Sequence, residues 1–351
     1  MTLRTLDLCT GGGGEALGIE QAGFATAGAV EIDPVACRTL RHNRPDWQVI
    51  EADLRDVDGS RFVGVDLVAA GVPCPPFSIA GKQLGHEDER DLFPQALDII
   101  EAARPQAVIL ENVRNFAADK FAPYRRNLVA SLRALGYECA AGVVYSSDFG
   151  VPQLRPRYIL VALRPHHMER FVWPGPQKQP PTVGEALLPL MAAGGWPHAR
   201  VWAARANSIA PTLVGGSKKH GGPDLGPTRA RKAWRELGVD GLGIANAPPD
   251  ADFPREALPR LTLPMVARLQ GFPEDWAFAG TKTAVYRQIG NALPPPVARA
   301  FGIAIAEAIA DTRVPTAHSR RSATALQPSL FGTQVCFAQD ATGAAGASTR
   351  E

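Results

Sequence analysis

One cysteine of the five stands where a thiol can do chemistry. Gly71-Val72-Pro73-Cys74-Pro75-Pro76-Phe77-Ser78 follows a short apolar run, and three prolines fix the backbone around the sulfur. A free thiol titrates near ~8.5, so Cys74 needs a nearby positive charge or a helix N-terminus to act as a nucleophile at neutral pH. The other cysteines, Cys9, Cys37, Cys139 and Cys336, are scattered without a C-x-x-C pair. That pattern fits a reducing compartment and argues against a disulfide framework or a structural zinc site, so no metal is expected. A second feature lies upstream. Asp7-Leu8-Cys9-Thr10-Gly11-Gly12-Gly13-Gly14 ends a strand-like run and opens a helix-like one, and its glycines let the backbone approach a ligand at the helix N-terminus. The next strand-like run ends in Glu31-Ile32-Asp33, a carboxylate about 20 residues past the glycines, placed to hold ribose hydroxyls. The third ends at Asp53, a candidate acceptor for the amino group of an adenine. Singly, each fits any fold with polar strand ends; in succession they read as an adenosine pocket. A nicotinamide enzyme would want G-x-G-x-x-G, which the spacing meets only loosely, and no His/Lys proton relay follows. A P-loop would close on G-K-[ST], where Glu15-Ala16 stand instead.

The elements that must hold these residues alternate in kind. Residues 5–8, 26–30, 48–52, 65–70 and 107–111 read as strands, and 15–21, 34–43, 93–103 and 125–135 carry helical spacing of apolar residues. Residues 139–145 and 158–163 read as further strands. The expected fold class is therefore α/β: a doubly wound, mostly parallel sheet with helices on both faces. With 351 residues, 45% hydrophobic and 21% charged, the chain can bury a core and carry two domains, or one domain with a large insertion. No run of 18 apolar residues appears, and no membrane helix or signal peptide is expected. After Arg164 the texture changes to Gly, Pro, Arg and Lys with weak periodicity, as in a smaller irregular domain. Helical pattern returns at 264–270 and 296–309, with prolines at the first turn. The division expected is 1–173, 174–272, a returning segment 273–311, and a disordered tail 312–351 rich in Ala, Ser, Thr and Gly.

Taken in order, these motifs resemble the bacterial DNA cytosine-5 methyltransferases through nearly the whole expected ordered chain. The turn from Gly11 to Gly14, Glu31 and Asp53 match that family's cofactor pocket, and Pro73-Cys74 its catalytic Pro-Cys. Ser78-Ile79-Ala80-Gly81-Lys82-Gln83 matches the start of its mobile catalytic loop, Glu111-Asn112-Val113 its Glu-Asn-Val, and Gln153-Leu154-Arg155-Pro156-Arg157 its Gln-x-Arg-x-Arg. Arg268-Leu269-Gln270-Gly271-Phe272-Pro273 and Gln288-Ile289-Gly290-Asn291-Ala292 match the two motifs after its target-recognition region. Three positions depart: Cys9 where a Phe is usual, Pro75 where a Gln is, and Pro264-Met265 where an Arg-Glu pair is common.

The resemblance implies an S-adenosylmethionine-dependent methyltransferase fold, with the cofactor held by Asp7, Cys9, Gly11, Gly13, Glu31, Asp53, Leu92 and Asn291. It implies Cys74, Glu111, Arg155 and Arg157 as the catalytic set. Carbon 5 of cytosine is a poor nucleophile; a thiolate added at carbon 6 makes an enamine that can take the methyl group. Charge then develops on ring nitrogen 3, where Glu111 would donate a proton. Arg157 would hold the exocyclic oxygen, and Arg155 would brace Glu111 or a phosphate. The base must leave the stack, at roughly a few kcal/mol, before any of this can happen.

For DNA the candidates are Ser78, Lys82 and Gln83 on the loop, then Thr212, Lys218, Lys219, Arg229 and Arg231 in the recognition region. Net charge is only +2, but between Trp196 and Glu236 eight Lys/Arg face two acids. The expected protein is a cytoplasmic monomer acting on double-stranded DNA, with any cognate restriction endonuclease acting separately. Two rivals share the fold. An RNA methyltransferase of the tRNA-modifying branch would carry a Cys-Phe-Thr segment, which is absent; a non-catalytic DNA-binding relative would have lost Cys74, Glu111 or the glycine turn. In the tail, Gln327-Pro328-Ser329-Leu330-Phe331 resembles the peptide by which bacterial proteins hold the sliding clamp, with Pro328 in place of the usual Leu.

Overall fold

The computed structural model describes residues 2–73, 91–216 and 222–310, together with the backbone of Cys336–Phe337. Strands β1 (Arg4–Leu8), β2 (Ala25–Glu31), β3 (Val49–Glu51), β4 (Leu67–Ala70), β5 (Ala107–Val113), β6 (Glu138–Tyr145) and β7 (Pro156–Leu163) form one sheet in the order 3-2-1-4-5-7-6. β1 to β5 pair in parallel, and β7 runs against both β5 and β6. β1 and β4, at the centre, are buried along almost their whole length because both faces are covered. Cys336–Phe337 adds a two-residue strand, β8, antiparallel to β6 opposite Ala141 and Ala140. The rest of the tail expected past residue 311, with the clamp-like peptide at 327–331, lies outside the described residues.

The first four helices are α1 (Gly14–Gln21), α2 (Pro34–Asn43), α3 (Phe93–Ala103) and α4 (Ala122–Ala134). α2 starts where a cap dictates: the Asp33 carboxylate accepts from the Val35 N–H at 3.0 Å and Pro34 occupies the first turn. Next come α5 (Pro165–Met168), α6 (Val183–Ala192), α7 (Ala199–Arg205), α8 (Thr228–Glu236), α9 (Leu263–Leu269), α10 (Lys282–Asn291) and α11 (Pro295–Ile309). Alternation along the strands divides the core. Val68 and Ala70 face Phe93, Ile100, Leu128 and Leu132 of α3 and α4, while Leu67 and Ala69 face Ile19 of α1 and Val297, Phe301 and Ile305 of α11. α1 and α11 cross closely because two glycines permit it. A Cβ at Gly14 would stand 2.3 Å from the Leu293 carbonyl oxygen, and one at Gly18 2.4 Å from that of Pro295. A third cluster joins Trp202 and Trp234 to Met265, Tyr286, Trp276 and Leu40, so the irregular segment packs onto the returning helices and α2. Lys282–Ile309, long and apolar enough to cross a membrane by composition, is α10 and α11 parted at residues 292–294 and largely buried here.

Candidate active site

The order of the strands puts a crevice at the carboxyl ends of β1 and β4, where the chain's direction of winding reverses. The residues after β1 make a tight turn with positive φ at Cys9 (59°), Gly11 (58°) and Gly13 (89°). Cys9 is the non-glycine in that series, a conformation side chains rarely adopt. Glu31, at the end of β2, is buried and clamps the turn. One of its oxygens accepts from the Gly11 N–H and the other from the Asp33 N–H, each at 2.7 Å. The far side of the turn is closed by the returning segment: Trp276 Nε1 donates to the Gly12 carbonyl at 3.1 Å. A Cβ at Gly13 would lie 2.7 Å from the Trp276 ring and 2.8 Å from Leu40.

Asp53 follows β3, accepts from the Arg55 N–H and pairs with that guanidinium at 3.1 Å, its side chain 30% exposed. Leu92 is half-buried just before α3. Burial, reinforced by Glu31, Asp7, Asp53 and Glu15, pushes the Cys9 thiol far above its ordinary range, so this cysteine is no nucleophile. Asp7 is 1% exposed, and among the described residues neither carboxyl oxygen has a hydrogen-bond partner of good geometry. Burial raises it to about 7; the Thr10 hydroxyl works against that shift, and the Glu31 charge adds to it.

Across the crevice, Glu111 and Arg157 meet. In the antiparallel β5–β7 register Glu111 opposes Ile159, so Arg157, two residues along, shares its face as a diagonal neighbour. Arg157 Nε lies 2.7 Å from Glu111 Oε1, with the two side chains 10% and 12% exposed. The N–H does not point at the oxygen, so the contact is ionic rather than a well-formed hydrogen bond. Burial raises the Glu111 carboxyl above its ordinary range, against the pull of Arg157 and Arg155.

Arg155 departs from the expectation that it braces Glu111. It is wholly buried and donates to the carbonyls of Leu213 (2.7 Å), Gly290 (2.8 Å) and Ala292 (3.1 Å). Its charge is felt at Glu111, but its hydrogen bonds join the segment around Leu213 to the end of α10 and the residues after it. Gln153 works beside it, donating to the Leu269 carbonyl and Gln270 and accepting from the Leu213 N–H. The Thr212 hydroxyl donates to the Leu154 carbonyl. Asn291 is exposed and donates to the Gly216 carbonyl at 3.1 Å, fixing that segment. On α8, Arg229 is exposed, whereas Arg231 is half-buried against Gly241 over the buried Trp234. Cys74, Ser78, Lys82, Gln83, Lys218 and Lys219 lie outside the described residues.

Glu15 was not expected at the site. It lies in the first turn of α1, 5% exposed, with Oε1 unpartnered among the described residues. The available signal was an acid directly after a glycine turn at a helix N-terminus, where a P-loop would carry its lysine.

Against known proteins, the sequence matches the family of C-5 cytosine-specific DNA methylases over residues 3–194 and 197–307. The Type II methyltransferase M.NaeI of Lentzea aerocolonigenes is 52% identical over 312 residues, 88% of this chain and 76% of that one. M.NgoMIV of Neisseria gonorrhoeae is 47% identical over 313 residues, 88% and 99% of the two chains. Among solved structures, a DNA modification methyltransferase encoded within an Escherichia coli prophage superposes with TM-score 0.61 at 22% identity, covering 88% of this chain and 100% of that one. DNMT2 of Spodoptera frugiperda gives 0.60 at 17% identity, covering 87% and 99%. At such identities the likeness is one of fold, and the fold is that of S-adenosylmethionine-dependent methyltransferases. The chain belongs to the C-5 cytosine-specific DNA methylases and is a DNA cytosine-5 methyltransferase.

Proposed function

We propose that the protein methylates carbon 5 of a cytosine turned out of a specific double-stranded DNA sequence, using S-adenosylmethionine and a covalent bond from Cys74 to carbon 6. The observation that carries this reading is the nearly buried Glu111–Arg157 pair at the crevice, with Cys74 following Pro73 directly on from β4. The likeness to Type II methyltransferases supports a role in protecting host DNA beside a separate endonuclease.

The cofactor brings a methyl group on a positively charged sulfur, and the residues present fit it. Unpartnered buried oxygens on Asp7 suit a cationic ligand. Both Glu31 oxygens accept one backbone N–H and keep a lone pair for ribose hydroxyls. Asp53 stands further out, partly exposed, for an adenine amino group. In the chemical step Arg157 holds Glu111 in place and presents its remaining N–H groups to the exocyclic oxygen. Glu111 gives its proton to ring nitrogen 3 as sulfur bonds to carbon 6, and takes it back when that bond breaks. We place target recognition in residues 174–272, with Arg155 and Gln153 coupling that region to the sheet.

The test is a duplex carrying 5-fluorocytosine at a site first located by bisulfite sequencing. Wild type with cofactor should remain covalently attached in a denaturing gel, because fluorine at carbon 5 cannot leave as a proton; Cys74→Ala should not. Turnover by Cys74→Ala would end the covalent mechanism.

A further inference from the structure

Methyl transfer through Cys74 and Glu111 leaves one buried acid without work. Glu15 faces the end of β4 at Gly71, where a Cβ would stand 3.4 Å from Glu15 Oε2, 3.9 Å from Glu111 Oε2 and 3.9 Å from the Cys9 carbonyl oxygen. The missing side chain therefore leaves a gap that two carboxyls approach from different elements, α1 and β5. The groups acting on Glu15 are Asp7 from β1 and Glu111 from β5, both acids, and its own charge is felt at Cys9 on the turn. Arg157 and Arg155, from the β7 side, act on Glu111. A carboxyl buried among acids, with one oxygen unpartnered, keeps its proton, and burial here raises Glu15 well above the ordinary carboxylate range. Glu111, 2.7 Å from Arg157, is the member of the pair that can carry the charge.

We propose that Glu15 is a positioning residue for proton transfer: it holds a proton across the Gly71 gap and supplies it to Glu111 when nitrogen 3 of the cytosine is protonated. This rests on the reading of Glu111 as the acid. The balance is simple. As the sulfur of Cys74 bonds to carbon 6, ring electrons reach nitrogen 3, which takes the proton on Glu111; the O–H of Glu15 breaks and its proton replaces the one lost. Once carbon 5 carries its methyl group, Glu111 passes its proton back to Glu15 and takes the one on nitrogen 3; water takes the proton from carbon 5, the C–H pair re-forms the double bond to carbon 6, and the carbon–sulfur pair leaves with sulfur.

The experiment is a pH profile of single-turnover methyl transfer for wild type, Glu15→Gln and Glu15→Asp, with cofactor and DNA affinities measured by titration. Glu15→Gln should be at least about 10-fold slower on the alkaline side and recover as the pH falls to where Glu111 keeps a proton of its own. Glu15→Asp should restore much of the alkaline rate, and both affinities should be unchanged. An equal loss at every pH, or none, overturns the proposal. Infrared difference spectra of wild type against Glu15→Gln should show the carbonyl stretch of a protonated acid at neutral pH, and an ionised Glu15 also overturns it. If Glu15→Gln does not fold, Gly71→Ala is the alternative, since among the described residues its methyl meets nothing closer than 3.4 Å. It must give the same alkaline loss, and a flat profile overturns the proposal as well. Glu111→Gln separates the two readings: if it keeps the wild-type rate the acid role of Glu111 fails, whatever the infrared says of Glu15.

Discussion

At the carboxyl edge of the sheet the large buried groups are acids, and Asp7 and Glu15 hold oxygens without partners. In residues 183–261 the large buried groups are tryptophans, and two of them donate to carbonyls: Trp196 to Phe253 and Trp202 to Gly238. The first arrangement is costly and makes sense only if a ligand and a reaction relieve it. The second is an ordinary way to stabilise a segment with little regular structure: large aromatic area, with the polar end satisfied at Trp196 and Trp202 though, among the described residues, not at Trp234. One region buries acids that burial favours in their protonated form; the other is a packed support for a polar surface. Arg157 and Arg155 show the difference within one motif, since the first meets a carboxylate at the edge and the second ties carbonyls together.

The largest effect expected at the edge is chemical. Glu111→Gln removes the proton donor but keeps shape, so single-turnover methylation should fall by roughly 10²- to 10⁴-fold with the melting temperature little changed. Retained activity would move Glu111 out of the reaction. Arg155→Ala should do the reverse. It leaves three carbonyls short of a donor between the segment around Leu213 and the returning helices, a cost on the order of 3–5 kcal/mol seen directly in denaturant unfolding. Arg155→Lys should recover little of it, because one ammonium cannot span the same oxygens. A stable Arg155→Ala protein with weak catalysis would instead return this arginine to the reacting centre.

Stability against pH sharpens the same contrast. The Asp7 carboxyl is raised from 3.8 to about 7, so between those values the folded protein holds a proton that the unfolded chain has released. Stability is then full below about 3.8 and lost as the pH rises to about 7, by on the order of 4 kcal/mol from this one group. Asp7→Asn should flatten that slope and leave the protein without bound cofactor more stable at pH 8 than wild type. Equal slopes in urea unfolding from pH 4 to 8 would mean that Asp7 is ionised in the fold.

Much of the edge was legible in the sequence, because chemistry demands particular residues at strand ends and glycines where the turn is tight. Asp33 followed by Pro34 marked the start of α2, and Glu31 fell where a carboxylate was wanted. The lid of the pocket was not legible: Trp276 reaches the Gly12 carbonyl from 264 residues away, and no local pattern encodes that. Nor could spacing divide the labour of Arg155 and Arg157. Strand β7 places Arg157 on the Glu111 face, while burial takes Arg155 to the carbonyls. The irregular segment hid its helices because their packing rests on single tryptophans rather than a repeating stripe.

The smallest effect belongs to the outer surface of α8. Trp234 is wholly buried and fixes the helix, which leaves Arg229, Lys232 and Arg235 exposed to solvent. Three cations on one short helix suit the phosphates of a duplex, whose condensed counterions are released on binding. Arg229→Ala with Arg235→Ala should therefore weaken DNA binding evenly across sequences. The slope of log affinity against log salt should become shallower by about 0.9 for each phosphate that is no longer neutralised. The site methylated should stay the same, because cations on phosphates position the protein without reading bases. The measurement is a salt titration of duplex affinity at a cognate and a non-cognate sequence. A weakening confined to the cognate duplex would show that these arginines reach base edges, and an unchanged slope would leave the α8 surface as a solvated face that DNA never touches.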